Sequence, residues 1–89
     1  MLHAVKIEPE YFNKIIEGKK TYEIRKNDMD YVAGDCIALN EYKRGEYTGR
    51  FILTGIVSID EYPLYLDTGY VILQLSPLGL EDNINHFES

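Results

Sequence analysis

Cysteine occurs once in these 89 residues, at Cys36, so no intramolecular disulfide can form. Histidine is almost as scarce: His3 and His86 lie at opposite ends, and with one cysteine they leave no spacing suited to zinc. No metal or cofactor is expected, and a reducing cytoplasm is the expected compartment. Long apolar runs are missing as well. No window approaches the roughly 20 apolar residues of a membrane span, and the opening MLHAVKIEPE lacks the basic start and apolar stretch of a secretion signal. Positive charge is absent from the last third. All nine Lys and Arg precede Asp60, whereas six of the fifteen acids follow Ile59, which places the whole net charge of −6 at one end. A broad duplex-binding surface is therefore not expected, although a local anion site is compatible with this distribution.

What is present is ordinary globular material, 45% hydrophobic with eight Tyr and three Phe. A chain of this length buries roughly 60–65% of its unfolded surface around a single core. His3 to Ile7 reads as a first strand. Pro9 suits the first position of a helix over 9–17, with Tyr11/Ile15 and Phe12/Ile16 at i,i+4 and Gly18 as its left-handed cap. Strands follow at Thr21 to Lys26, Cys36 to Tyr42, Thr48 to Ile59 and Tyr70 to Leu75. The glycine within Lys43 to Glu46 suits a hairpin turn, and Gly55 suggests a bulge inside a long strand. About five strands and one early helix, with a helix in only one connection, predict an α+β fold: a small barrel, closed or partly open, with the helix across one end. Residues 1–76 form the domain and residues 77–89 an acidic tail.

The segment GKKTYEIRKND, Gly18 to Asp28, stands out because it places charge on a strand. Alternation puts Thr21, Glu23 and Arg25 on one face and Lys20, Tyr22, Ile24 and Lys26 on the other. Five of the nine bases, Lys14, Lys19, Lys20, Arg25 and Lys26, fall in this neighbourhood. Two accounts compete. Lysines after a helix C-terminus are favoured by the helix dipole, and Glu23 with Arg25 can simply be an internal ion pair. Alternatively Arg25 offers its planar fork to a phosphate or base edge while Glu23 orients it. Asn27 opens the next turn, and Tyr31 behind it is the foremost candidate for stacking on an unpaired base. Tyr11, Tyr22 and Tyr70 fall on apolar stripes and are expected in the core, as is Cys36. Lys6 borders the same region, Arg50 is either a second basic contact or a surface charge, and His3 reads as a satisfied, partly buried side chain.

The pattern GxKxxExR, here Gly18, Lys20, Glu23 and Arg25, together with Gly34-Asp35, resembles the ASCH domain of the PUA-like superfamily. The likeness extends to HAVKIEPEYF, the VAGD turn, the NEY strand end, YTGR and the closing GYVIL, spanning about residues 3 to 75. It implies a PUA-like barrel with a cleft lined by Lys20, Glu23 and Arg25 that takes single-stranded RNA or a nucleotide. One branch with a similar motif is an amidohydrolase on an acylated nucleoside that uses a lysine, a threonine nucleophile and a distant glutamate. Lys20 matches that lysine, but Glu23 occupies the nucleophile position, and a carboxylate does not replace a hydroxyl in acyl transfer. Met29 stands where relatives often carry arginine. The leading expectation is RNA or nucleotide binding without catalysis. The alternatives are the hydrolase, with Lys20 and Glu23 as acid and base, and a protein-interaction module using the acids of the tail.

Overall fold

A computed structural model describes residues 1–62, 64–77 and 84–86. Strand β1, Leu2–Ile7, alternates strictly between exposed and buried side chains, turning His3, Val5 and Ile7 inward. Helix α1, Pro9–Ile16, starts with proline at its first turn, where a missing N–H leaves nothing unsatisfied. It packs against the sheet through Phe12 and Ile15, both buried, while Tyr11 on the neighbouring stripe stays exposed. The helix ends in a Schellman cap. Gly18 lies at φ +74°, its N–H donates to the Ile15 carbonyl at 3.1 Å, and the Lys19 N–H donates to the Lys14 carbonyl at 2.8 Å.

Four further strands build the sheet: β2 Tyr22–Lys26, β3 Cys36–Lys43, β4 Glu46–Asp60 and β5 Tyr70–Pro77. Their order is β1-β3-β4-β5-β2, with β1 parallel to β3 and the other neighbours antiparallel. The result is the small α+β fold expected, a sheet curled into a half-barrel with one short helix after the first strand. The β3–β4 hairpin turns on Arg44 and Gly45, both at positive φ as a type I′ turn requires. Its 15-residue second strand carries β3 along its first part and β5 along its last. The bulge anticipated at Gly55 falls farther on, between Ile56 and Ser58. Gly55 stays in register with Cys36 on one side and Ser76 on the other, and Val57 is thrown outward.

A short strand that the sequence did not announce, β6 Ile84–His86, pairs with β4 at Arg50 to Ile52. It comes from the stretch read as an acidic tail. Pro77 of that stretch closes β5, and the remaining residues, including Glu81, Asp82 and Glu88, lie outside the described residues. Ile37 and Leu39 from β3, Ile52 from β4 and Leu73 from β5 join the two helix side chains in one buried core. Among the described residues no helix is long and apolar enough to cross a membrane.

The ends of the main strand path, β1 and β2, face each other across the open side of the half-barrel. One side chain spans that opening: Arg25 donates from Nη1 to the Lys6 carbonyl at 3.3 Å.

Candidate functional site

Strand β2 is where the charge lies. Its inward positions are Glu23 and Arg25, so alternation sends Tyr22 and Ile24 outward, where each is nearly half exposed. Tyr22 was expected in the core for its apolar neighbours. The inward face here is instead polar, because β2 pairs on one side only and borders the open side of the sheet. Tyr11 and Tyr70 are likewise exposed rather than buried.

Glu23 is 6% exposed, and each of its oxygens accepts from a different cation. Lys20 Nζ donates to Oε1 at 2.7 Å, and Arg25 Nη1 donates to Oε2 at 3.2 Å. The Schellman cap explains how Lys20 arrives there. By turning the chain sharply at Gly18 it ties the Lys19 and Lys20 N–H groups to the Lys14 carbonyl, and Thr21 then joins the sheet by accepting from the Leu75 N–H at 2.8 Å. Three residues after Lys20 the Glu23 carboxylate is within its reach.

Two clefts open beside this triad, and Ile24 lines both. The first, about 570 Å³, lies between α1 and β2 and is lined by Tyr11, Lys14, Lys19, Lys20, Tyr22 and Glu23. Lys20 Nζ sits 4.5 Å from the Tyr11 ring centre and 5.4 Å from that of Tyr22. The second, about 490 Å³, lies between β1 and β2 and includes Lys6, Arg25, Lys26, Asp28 and Tyr31. Its charge is mixed. Asp28 opposes the bases, and the Lys6 ammonium rests 4.4 Å from the Tyr42 ring and 5.9 Å from Tyr47.

Tyr31 is not the exposed platform anticipated from its place after a turn; it is 4% exposed. Asn27 explains this, since its Oδ1 accepts the Tyr31 N–H at 2.9 Å and folds the turn inward. The ring meets His3 edge-on at 4.8 Å, and its hydroxyl donates to Met29 Sδ at 3.4 Å. Burial pushes the Tyr31 phenol above its ordinary value, with Arg25 pulling the other way. Asn27 thus shapes the second cleft from behind.

Arg50 belongs to neither cleft. Its guanidinium stacks 4.7 Å from the ring centre of buried Phe12, and Nη1 lies 3.5 Å from Glu41 Oε1. Glu41, missed as a buried carboxylate by sequence reasoning, is 4% exposed and accepts the Thr48 hydroxyl at 2.7 Å. The signal was available: Glu41 continues the inward positions Ile37 and Leu39 of β3. His3 is satisfied as expected. Its Nε2 meets Asp35 Oδ2 at 2.8 Å, and together with the Met1 ammonium this bond holds the Asp35 carboxyl down at about 2. An ionised carboxylate only accepts, so Nε2 carries the proton. Cys36 is half-buried at the start of β3 rather than in the core. No group of three or more possible metal ligands occurs among the described residues.

The chain is similar to an "Uncharacterized 12.9 kDa protein in GpA 3'region" of Escherichia phage P2, with 38% identity over 72 residues. That match covers 81% of this chain and 65% of the phage protein, so the chain spans slightly less than two thirds of its relative's length. A family model described as "Domain of unknown function (DUF3850)" matches residues 2–75, which include α1, β2 and both clefts, and the chain belongs to that family.

Proposed function

We propose that this chain is an RNA- or nucleotide-binding domain of the ASCH, PUA-like kind, with a ligand lying across β2 between the two clefts. The observation that carries the reading is the placing of Glu23. One buried carboxylate holds Lys20 beside the first cleft and Arg25 beside the second, so two cations are fixed in position by a shared anchor. Lys14 and Lys19 add charge on one side and Lys26 on the other, and the exposed rings of Tyr11 and Tyr22 supply stacking surface. With both Glu23 oxygens engaged by cations, the carboxylate serves as a positioning group rather than as a free base. This favours binding over hydrolysis.

Titration of short single-stranded RNA and of free nucleotides onto the wild-type protein and Arg25→Ala at low salt tests the reading. Wild type should bind, with log K falling by about 0.7 per phosphate neutralised for each tenfold rise in salt. Arg25→Ala should bind about tenfold more weakly, the worth of one charge-assisted contact. Absence of RNA and nucleotide binding by the wild-type protein at low salt would overturn it.

A further inference from the structure

We infer that the cleft between α1 and β2 is a pocket for a phosphate monoester carried by a nucleotide, either a free mononucleotide or the phosphorylated end of an RNA strand. The inference rests on the nucleic-acid reading above and narrows it to one kind of group at one place.

The first step is a charge balance. Three ammonium groups, Lys14, Lys19 and Lys20, line a cleft of about 570 Å³, a size suited to a small ligand. Lys20 is compensated by Glu23 at 2.7 Å. Among the described residues Lys19 pairs with Glu17 alone, at 3.5 Å with both side chains more than half exposed, a pairing that water and salt largely cancel. Lys14 forms no ion pair among the described residues; its ammonium lies 5.7 Å from the Tyr11 ring. Two weakly compensated cations therefore border one opening. A phosphate monoester carries a charge of about −1.5 to −2 at neutral pH. An internal phosphodiester carries about −1, so the monoester is the better match.

The second step asks whether the helix itself already uses these lysines. Cations gather at helix C-termini to meet unsatisfied carbonyls. Here the main chain meets three of the last four: the N–H groups of Glu17, Gly18 and Lys19 donate to the carbonyls of Asn13, Ile15 and Lys14 at 2.9, 3.1 and 2.8 Å. Those three carbonyls therefore make no demand on the Lys14 and Lys19 ammonium groups. The carbonyl end of the helix opposes an anion with roughly half a charge, which three ammonium groups against one shared carboxylate outweigh.

The third step is what sits beside the phosphate. Tyr11 and Tyr22 are 40% and 42% exposed and flank Lys20. A base attached to a phosphate at Lys14 and Lys19 meets ring surface within the same cleft. The second cleft offers no such match, because Asp28 and the ring-bound Lys6 lower its effective positive charge.

The test uses one short RNA in three forms, with a 5′-phosphate, with a 3′-phosphate, and with hydroxyls at both ends. Binding is followed by calorimetry for the wild type, for Lys14→Gln/Lys19→Gln, and for Lys43→Gln, which removes a charge outside both clefts. One phosphorylated form should bind about tenfold tighter than the hydroxyl form. Lys14→Gln/Lys19→Gln should abolish that advantage, and Lys43→Gln should retain it. Inorganic phosphate should compete for the phosphorylated form alone. Equal affinity for all three forms would overturn the monoester pocket while leaving RNA binding intact. An advantage that survives the double substitution would overturn it equally; a nucleoside monophosphate titrated in parallel separates a mononucleotide site from a strand-end site, and failure of that nucleotide and of every RNA form to bind would overturn both readings.

Discussion

Two glutamate–arginine pairs lie in this sheet, and they serve different ends. Glu23 and Glu41 are both nearly buried, and their arginines lie 3.2 and 3.5 Å away. Each carboxylate also accepts a third group at 2.7 Å, and that group differs: an ammonium from Lys20 for Glu23, a neutral hydroxyl from Thr48 for Glu41. The first cluster keeps a net positive charge and lies open to two clefts. The second is neutral, with its arginine stacked on Phe12 and lining neither cleft. A buried pair is weak evidence for stability, because desolvation can cancel its attraction. What separates a pair that closes a core from one that presents charge is the surplus cation and the space beside it.

The largest effect should come from breaking the closed pair. Glu41→Ala leaves the Arg50 guanidinium against Phe12 without its carboxylate, and loss of one partner of such a pair costs about 3 kcal/mol. Urea unfolding should register that loss, while RNA affinity at low salt stays within about twofold of wild type. If Glu41→Ala weakened RNA binding as much as Arg25→Ala does, the distinction between the two pairs would fail.

A matched pair of glycines sharpens the same contrast with a smaller effect. Gly18, at φ +74°, shapes the turn that delivers Lys19 and Lys20, and Gly45, at φ +83°, shapes the hairpin on the other side of the comparison. A Cβ meets nothing within 4 Å at either site, so alanine suffers only the left-handed backbone penalty, about 1 kcal/mol. Both variants should lose similar stability in thermal melts. Only Gly18→Ala should weaken RNA binding, since it loosens the cap that ties the lysine backbone to the Lys14 carbonyl. Equal weakening by both would show that binding follows overall stability rather than the cleft.

The elements were legible because local signals agreed. Proline at the helix start, glycine at its end and period-two strands set α1 and the five main strands. The charged face of β2 was legible for the same reason: alternation alone put Glu23 beside Arg25. The tyrosines were not. Local apolar company placed Tyr22 inside, yet β2 turns its polar side inward at the open side of the sheet, and only the tertiary order of strands reveals that. Tyr31 failed in the opposite sense, because the Asn27 side chain pulls its turn into the structure. Arg50 depended on a contact with Phe12, from an element 38 positions away, which no spacing rule conveys.

The smallest effect concerns a third acid–base pair that lines neither cleft. Asp35 is held at about 2, first by the His3 hydrogen bond and then by the Met1 ammonium, against an ordinary value of 3.8. A carboxyl depressed in the folded state stabilises the protein above its unfolded value, and that contribution is lost as pH falls through the folded one. Its loss should therefore run from about pH 4 to about pH 2, where other carboxylates titrate too, so the difference between wild type and Asp35→Asn isolates it. Urea midpoints followed across this range should fall more steeply for wild type than for Asp35→Asn, which has no carboxyl to protonate. Parallel curves would mean that the Asp35 carboxylate contributes nothing to acid stability. At pH 7 the RNA titration of Asp35→Asn should match wild type, because its partners His3, Met1 and Val32 line neither cleft. A loss of binding there would show that an acid–base pair can govern the ligand without facing a cleft, and would remove the criterion that separates Glu23 from Glu41.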